Sequence, residues 1–194
     1  MTLVVGLGNP DLQYKNNRHN VGFMVIDALV GNQPSCEKIS KTVFKGELFK
    51  APSMLLLKPT TYMNLSGESV RAVSDYFKPD EIIVIHDDLD LPFGTLRFKR
   101  GGGHGGHNGL RSIDAHVGAE YIRVRIGIGK PIHKSDVAKY VLSDFSMFQK
   151  EHLPRLLEHV QQSIKSLLTH DLKEVALQYS LKQTLEEEGK NETF

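Results

Sequence analysis

The chain has 194 residues, 40% of them hydrophobic and 24% charged, with a formal net charge of +1. That balance fits one soluble globular domain. One cysteine, Cys36, excludes a disulfide-stapled scaffold, and no apolar run approaches the ~20 residues that span a bilayer. No basic segment followed by an apolar stretch opens the sequence, so a cytoplasmic protein without a membrane partner is expected.

In chain order, the apolar run Leu3 to Leu7 predicts a buried first strand, interrupted and closed by Gly6 and Gly8. A polar loop follows. Val21, Met24, Val25, Ala28 and Leu29 then recur at helical spacing and predict a helix over 20–30. Strands are predicted at 43–49 and 54–58. Ser66 is expected to cap a helix over 67–77, which Lys78-Pro79 ends. Glu81 to His86 is the strongest strand pattern, and Gly94 to Lys99 reads as another. A helix over 108–117 and a strand over 121–128 follow.

The last third carries an apolar helical stripe of Leu153, Leu156, Leu157, Val160, Ile164, Leu167 and Leu168. Pro154 is tolerable there only in a first turn. A further helix is predicted over 171–185. The alternation of strands and helices implies an α/β fold: a single domain over residues 1–185, built on a twisted mixed β-sheet flanked by helices. Residues 186–194 are expected to be a flexible C-terminal tail.

Four segments carry chemistry. Gly6-Leu7-Gly8-Asn9-Pro10 begins like a dinucleotide fingerprint, but its third glycine would fall on Asp11, and Pro10 removes a backbone donor. A tight strand exit that aims Asn9 outward fits better. His19, in Arg18-His19-Asn20, precedes a helix whose positive end should keep the imidazole neutral and able to act as a base. The loop Pro59 to Gly67 presents Tyr62 and Asn64. The densest segment is 86–112. His86, Asp87, Asp88 and Asp90 leave the C-terminal end of a strand, where open α/β sheets place their sites. Six glycines among residues 101–109 then surround His104, His107 and Asn108. Such a run suits a backbone that turns sharply or lets a ligand approach.

A carboxylate at the strand end can fix the tautomer of a histidine. A metal held by His86, Asp87, Asp90, His104 and His107 is the rival reading, although no His-Glu-x-x-His or Cys-x-x-Cys element is present. No activated serine or cysteine stands out, which favours histidine-activated water over a covalent intermediate. Residues 97–134 hold eight Lys and Arg against two acids, a plausible footprint for a polyanion. A non-catalytic RNA-binding module is the second rival.

Together, Gly6 to Pro10, Tyr14, Arg18-His19-Asn20, Pro59 to Gly67, His86 to Pro92, Gly101 to Leu110 and Arg125 to Gly129 resemble the bacterial peptidyl-tRNA hydrolase family. The resemblance implies a metal- and cofactor-independent enzyme that hydrolyses the ester joining a peptide to the 3′-terminal ribose of tRNA and so serves ribosome rescue. It implies a monomer that contacts the acceptor stem and 3′ end of peptidyl-tRNA and takes no DNA. It implies that His19 activates water, that Asp87 orients His19, and that Asn9 distinguishes blocked from free amines. Tyr14, Tyr62, Asn64 and Asn108 would contact substrate, and Lys99 and Arg125 would clamp a tRNA phosphate. Arg100, where relatives can carry an apolar residue, would extend that phosphate surface.

Overall fold

The computed structural model describes residues 1–185; the expected tail at 186–194 lies outside them. Thirteen α-helices and β-strands lie within the described residues. They are β1 (Thr2–Gly6), α1 (Val21–Gly31), β2 (Glu37–Lys38), β3 (Gly46–Lys50), β4 (Met54–Pro59), α2 (Ser66–Phe77), β5 (Glu81–Asp88), β6 (Leu96–Arg100), α3 (Asn108–Val117), β7 (Ile122–Gly127), α4 (Val137–Val141), α5 (Met147–Leu167) and α6 (Leu172–Tyr179).

The seven strands make one sheet in the order β2-β3-β4-β1-β5-β7-β6. β1 runs parallel to β4 and β5, and β5 parallel to β7, while β3 and β6 run antiparallel to their neighbours. The parallel centre is covered on both faces, which is why β1, β4 and β5 read as nearly continuous apolar runs. Alternation sorts their side chains. Val4, Ile83 and Ile85 pack with Val25, Ile26 and Leu29 of α1 and with Leu156, Val160 and Ile164 of α5. Leu3, Val5 and Val84 pack on the other face with Val70 and Val73 of α2 and Leu110 and Ile113 of α3. Each such aliphatic side chain contributes roughly 1.5–3 kcal/mol on full burial.

Parity on β5 then aims the functional end. Asp87 shares the parity of Ile83 and Ile85, which face α1. It therefore points toward the turn that opens α1, where His19 sits. Two glycines allow that turn to lie close to the sheet. A Cβ on Gly6 would meet the Gly22 carbonyl oxygen at 2.2 Å, and one on Gly22 would meet the Leu7 nitrogen at 2.4 Å.

Several expected boundaries shift. The strand expected at 43–49 begins at Gly46, because Thr42–Phe44 forms a 3-10 turn that buries Phe44. Ser66 does not cap α2: it is the helix's first residue, and its hydroxyl donates back to the Met63 carbonyl at 2.7 Å. β5 runs two residues further than expected and carries Asp87 and Asp88 inside the sheet. Pro154 lies in the body of α5, not its first turn. It is exposed, as is Lys150 four residues back, so the carbonyl that loses a partner faces solvent. α6 ends at Tyr179.

Gly22→Ala is expected to destabilise the protein by about 1–3 kcal/mol, because the colliding atoms are backbone and cannot rotate away. Urea unfolding of the two proteins checks this.

Candidate active site

The site lies at the C-terminal ends of β1, β4, β5 and β7. Its centre is the Asp87 carboxylate, which is 2% exposed. One oxygen, Oδ2, lies 2.8 Å from His19 Nδ1, and the other, Oδ1, lies 2.8 Å from His107 Nε2. The two rings sit 5.0 Å apart, centroid to centroid. His19 comes from the 3-10 turn Arg18–Asn20 just before α1. His107 is the N-cap of α3, and its Nδ1 accepts from the backbone N–H of Gly109 at 3.1 Å and of Leu110 at 3.3 Å.

These contacts assign the protons. His107 Nδ1 is an acceptor, so its proton is on Nε2 and donates to Asp87. His19 donates through Nδ1 to Asp87, which leaves Nε2 as the nitrogen able to take a proton. Burial works against a charge on His19, but the Asp87 carboxylate, by its charge and its hydrogen bond, outweighs burial and raises the pKa above the ordinary histidine value. The helix N-terminus, expected to keep this ring neutral, is overridden by a full negative charge at hydrogen-bond distance. Burial pushes the Asp87 carboxyl up, yet His19 and His107 together hold it well below the usual carboxylate range.

His86 has a separate task. Its Nδ1 donates to the Asp87 carbonyl at 2.8 Å, and its ring stands edge-on to His107 at 5.3 Å. Burial, then the neighbouring His107, lowers its pKa to about 4. It pins the end of β5 as a neutral ring.

The turn after β1 and the loop after β4 flank this centre. Asn9 and Asn20 hold each other: the Asn9 N–H donates to Asn20 Oδ1, and Asn20 Nδ2 donates to the Asn9 carbonyl, both at 2.9 Å. Asn9 Oδ1 accepts from the Met63 N–H at 2.9 Å, and its Nδ2 donates to nothing among the described residues. The Tyr62 hydroxyl donates to Asp11 Oδ2 at 2.8 Å, and Tyr62 adopts φ +67°. That backbone region is strained for any residue but glycine. Tyr14 closes a 3-10 turn beside this loop, and Asn64 stands exposed next to Met63.

A cleft of about 300 Å³ opens from His19, Asp87 and His107. It is lined further by Asn108, Gly103 to Gly106, Lys99, Arg123, Arg125, and Val137, Ala138 and Val141 of α4. The structure thus brings His19, Asp87, Asn108, Lys99 and Arg125 to one cavity, with Asn9, Tyr14, Tyr62 and Asn64 on the adjoining loops. Gly101, Gly102, Gly105 and Gly106 all take positive φ, which explains the glycine run. Buried Arg123 holds that loop through the Gly103 carbonyl at 2.6 Å and the Gly102 carbonyl at 2.8 Å.

Arg125 is oriented by Asp88, with Nε to Oδ2 at 2.8 Å, and among the described residues its outer nitrogens have no side-chain partner. Arg100, expected to extend the phosphate surface, is instead paired with both oxygens of Glu81 at 3.0 and 2.8 Å.

The rival metal set of His86, Asp87, Asp90, His104 and His107 does not come together as ligands among the described residues. The grouped side chains are His19, Asp87 and His107, whose ligand atoms lie within 4.8 Å of one another. His107 Nδ1 faces two N–H donors, so its other nitrogen carries a proton and offers a metal no lone pair. The sequence pattern marks His107, the second partner of Asp87, only as a possible ligand. The signal for it was a histidine just before a predicted helix, the N-cap position.

The fold and the site define a single-domain α/β protein with a histidine–carboxylate cleft at its parallel strand ends. The family model described as peptidyl-tRNA hydrolase matches residues 3–188, and the chain belongs to that family. It is 59% identical to a peptidyl-tRNA hydrolase of Sulfurovum sp. over 184 residues, covering 94% of this chain and 97% of that protein. It is 57% identical to that of Sulfurimonas denitrificans over 180 residues, covering 93% and 97%. Among solved structures, peptidyl-tRNA hydrolase from Acinetobacter baumannii superposes with a TM-score of 0.88 at 34% identity, covering 94% of this chain and 96% of that one.

The pH behaviour of the pair follows from the shift directions. The Asp87 contribution to stability is present above the ordinary Asp value and is lost as pH falls toward the lowered one. The His19 contribution is present below the ordinary histidine value and is lost as pH rises through the raised one. The ion pair is therefore at full strength between about pH 4 and 6.5. Ring-nitrogen NMR is expected to place the His19 midpoint above that of a free histidine, and Asp87→Asn is expected to lower it.

Proposed function

We propose that this protein hydrolyses the ester linking a peptide to the 3′-terminal ribose of tRNA in the cytoplasm, acting as a monomer that takes the acceptor stem and 3′ end in its cleft. The observation that carries the reading is the 2.8 Å contact of His19 Nδ1 with buried Asp87 in a cleft that also holds Lys99 and Arg125. His19 Nε2 takes a proton from water as the water attacks the ester carbonyl, and the proton passes to the ribose oxygen as its bond to the acyl carbon breaks and the tRNA leaves. The imidazolium formed is stabilised by Asp87, which stays ionised. His107 is a positioning residue: it fills the second Asp87 oxygen, so the carboxylate presents a single oxygen to His19.

Asn9 supplies the preference for blocked amines. Its oxygen is occupied by Met63, so what it offers is an N–H donor. A donor suits the carbonyl of an N-blocked residue. A free α-ammonium brings only further donors, and its approach is disfavoured. Asn64 and Asn108 offer amides to the peptide and 3′ end, and Tyr14 and Tyr62 offer stacking surfaces. Lys99 and the Asp88-oriented Arg125 hold a phosphate without reading bases. No DNA, metal or organic cofactor enters this scheme.

The test is incubation with an N-acetylated aminoacyl-tRNA and its unblocked counterpart, with EDTA present. Release from the blocked form alone is expected. No release, with tRNA still bound, would support an RNA-binding module instead, and loss of release on chelation would support a metal enzyme. His19→Ala and Asp87→Asn are expected to lower kcat by about 10²–10⁴-fold with little change in tRNA affinity.

Lys99→Ala and Arg125→Ala are expected to raise KM. Each should flatten the dependence of log affinity on log salt by up to about 0.7–0.9, the scale of one lost phosphate contact. Binding isotherms at several salt concentrations measure it.

A further inference from the structure

Both neighbours of His19 in the chain are buried, while His19 itself lines the cleft. Asn20 anchors inward on Asn9. Arg18 anchors in another direction, and what it grips is the segment that walls the cleft. Its backbone N–H donates to the Ser143 carbonyl at 3.0 Å. Nη1 donates to Ser143 Oγ at 2.9 Å, and Nη2 to Gln149 Oε1 at 3.1 Å. The guanidinium carbon lies 4.2 Å over the Tyr140 ring. Asn17 reinforces the contact, with Nδ2 donating to Asp144 Oδ1 at 2.8 Å. Ser143 and Tyr140 adjoin Val141, which together with Val137 and Ala138 lines the same cleft as His19. Gln149 Oε1 also accepts the Ser146 N–H in the capping box that starts α5.

A contact that served stability alone would not need this chemistry. Arg18 is 8% exposed, and among the described residues no carboxylate lies within ion-pair distance of it. Its Nε is buried with no hydrogen-bond partner among the described residues. A cation buried against neutral oxygens carries a desolvation penalty that apolar packing avoids. The planar guanidinium contributes geometry instead: it sets the distance between two segments more tightly than a flexible ammonium does.

We propose that Arg18 is a positioning residue for the hydrolysis. It locks the α4 wall to the turn carrying His19, so that an ester seated against that wall presents its carbonyl carbon to the water held at His19 Nε2. This rests on the reading of His19 as the base.

The experiment measures kcat and KM on N-acetylated aminoacyl-tRNA, with a thermal melt of each variant. Arg18→Ala is expected to lower kcat by about 10–100-fold, the scale of an ångström of misplacement, with KM within about twofold. Arg18→Lys, which keeps charge but not the fork, should fall between. Ser143→Ala with Gln149→Ala cuts the same bonds from the other side and should lower kcat similarly. Combined with Arg18→Ala it should add little, since the two act through one contact. A folded Arg18→Ala protein with kcat within twofold of the parent overturns the proposal, as does an additive cycle. If Arg18→Ala does not fold, an unchanged kcat in the Ser143/Gln149 variant overturns it. His19→Ala separates the two readings. Full turnover there sinks the base itself, whereas loss there with a normal Arg18→Ala sinks only the lock.

Discussion

The site depends on one buried charge. A carboxylate at the end of a covered sheet is tolerable only if donors meet its oxygens, and Asp87 has two imidazole N–H groups to meet them. The two rings do different work because their far nitrogens see different surroundings. His107 turns its far nitrogen to the first amides of α3, so the positive end of that helix reaches the carboxylate through the ring. His19 turns its far nitrogen to the cleft. One carboxylate thus has one ring fixed by the fold and one open to the cleft. Chained hydrogen bonds of this kind strengthen each other in a low-dielectric interior.

The rest of the fold serves that arrangement at a distance. Gly6 and Gly22 let α1 approach the sheet, which sets the depth at which the His19 turn enters. Met63 is pinned by Asn9 and also lies where a Cβ on Gly109 would collide with its sulfur at 2.6 Å. The loop after β4, the turn after β1 and the start of α3 therefore fix one another. The basic half of the cleft is ordered separately. Arg123 is consumed in holding the glycine loop, Asp88 orients Arg125, and Lys99 remains exposed. Fewer cations face the cleft than the charge count of residues 97–134 suggests.

Much of this was legible in the residues. The parallel core strands were visible as apolar runs, and α1 and α3 as helical spacing. His19 and Asp87 were visible through motif resemblance and through the strand-end rule. What escaped depended on partners far away in sequence. Arg100 reads as a phosphate ligand until Glu81 of β5 is placed beside it across β7. Ser66 reads as a cap until its hydroxyl is seen turning back to Met63. α4 carries no strong pattern in its five residues, yet it walls the cleft, because Arg18 and Asn17, more than 120 positions earlier, hold the segment that follows it. The role of His107 needed both the N-cap geometry and the Asp87 contact. Neither is a property of a single segment.

On the proposed reading of His19 as the base, the strength of the Asp87 contact also sets a compromise. A carboxylate at 2.8 Å fixes the tautomer of His19 and raises the affinity of Nε2 for a proton, which favours removal of one from water. The same effect keeps more of the ring already protonated near neutral pH and so withdraws it from service. Partial burial of His19 opposes the raise and moderates it. A partly buried imidazole braced by a carboxylate is therefore better suited to serve as a base near neutral pH than the same pair fully in water.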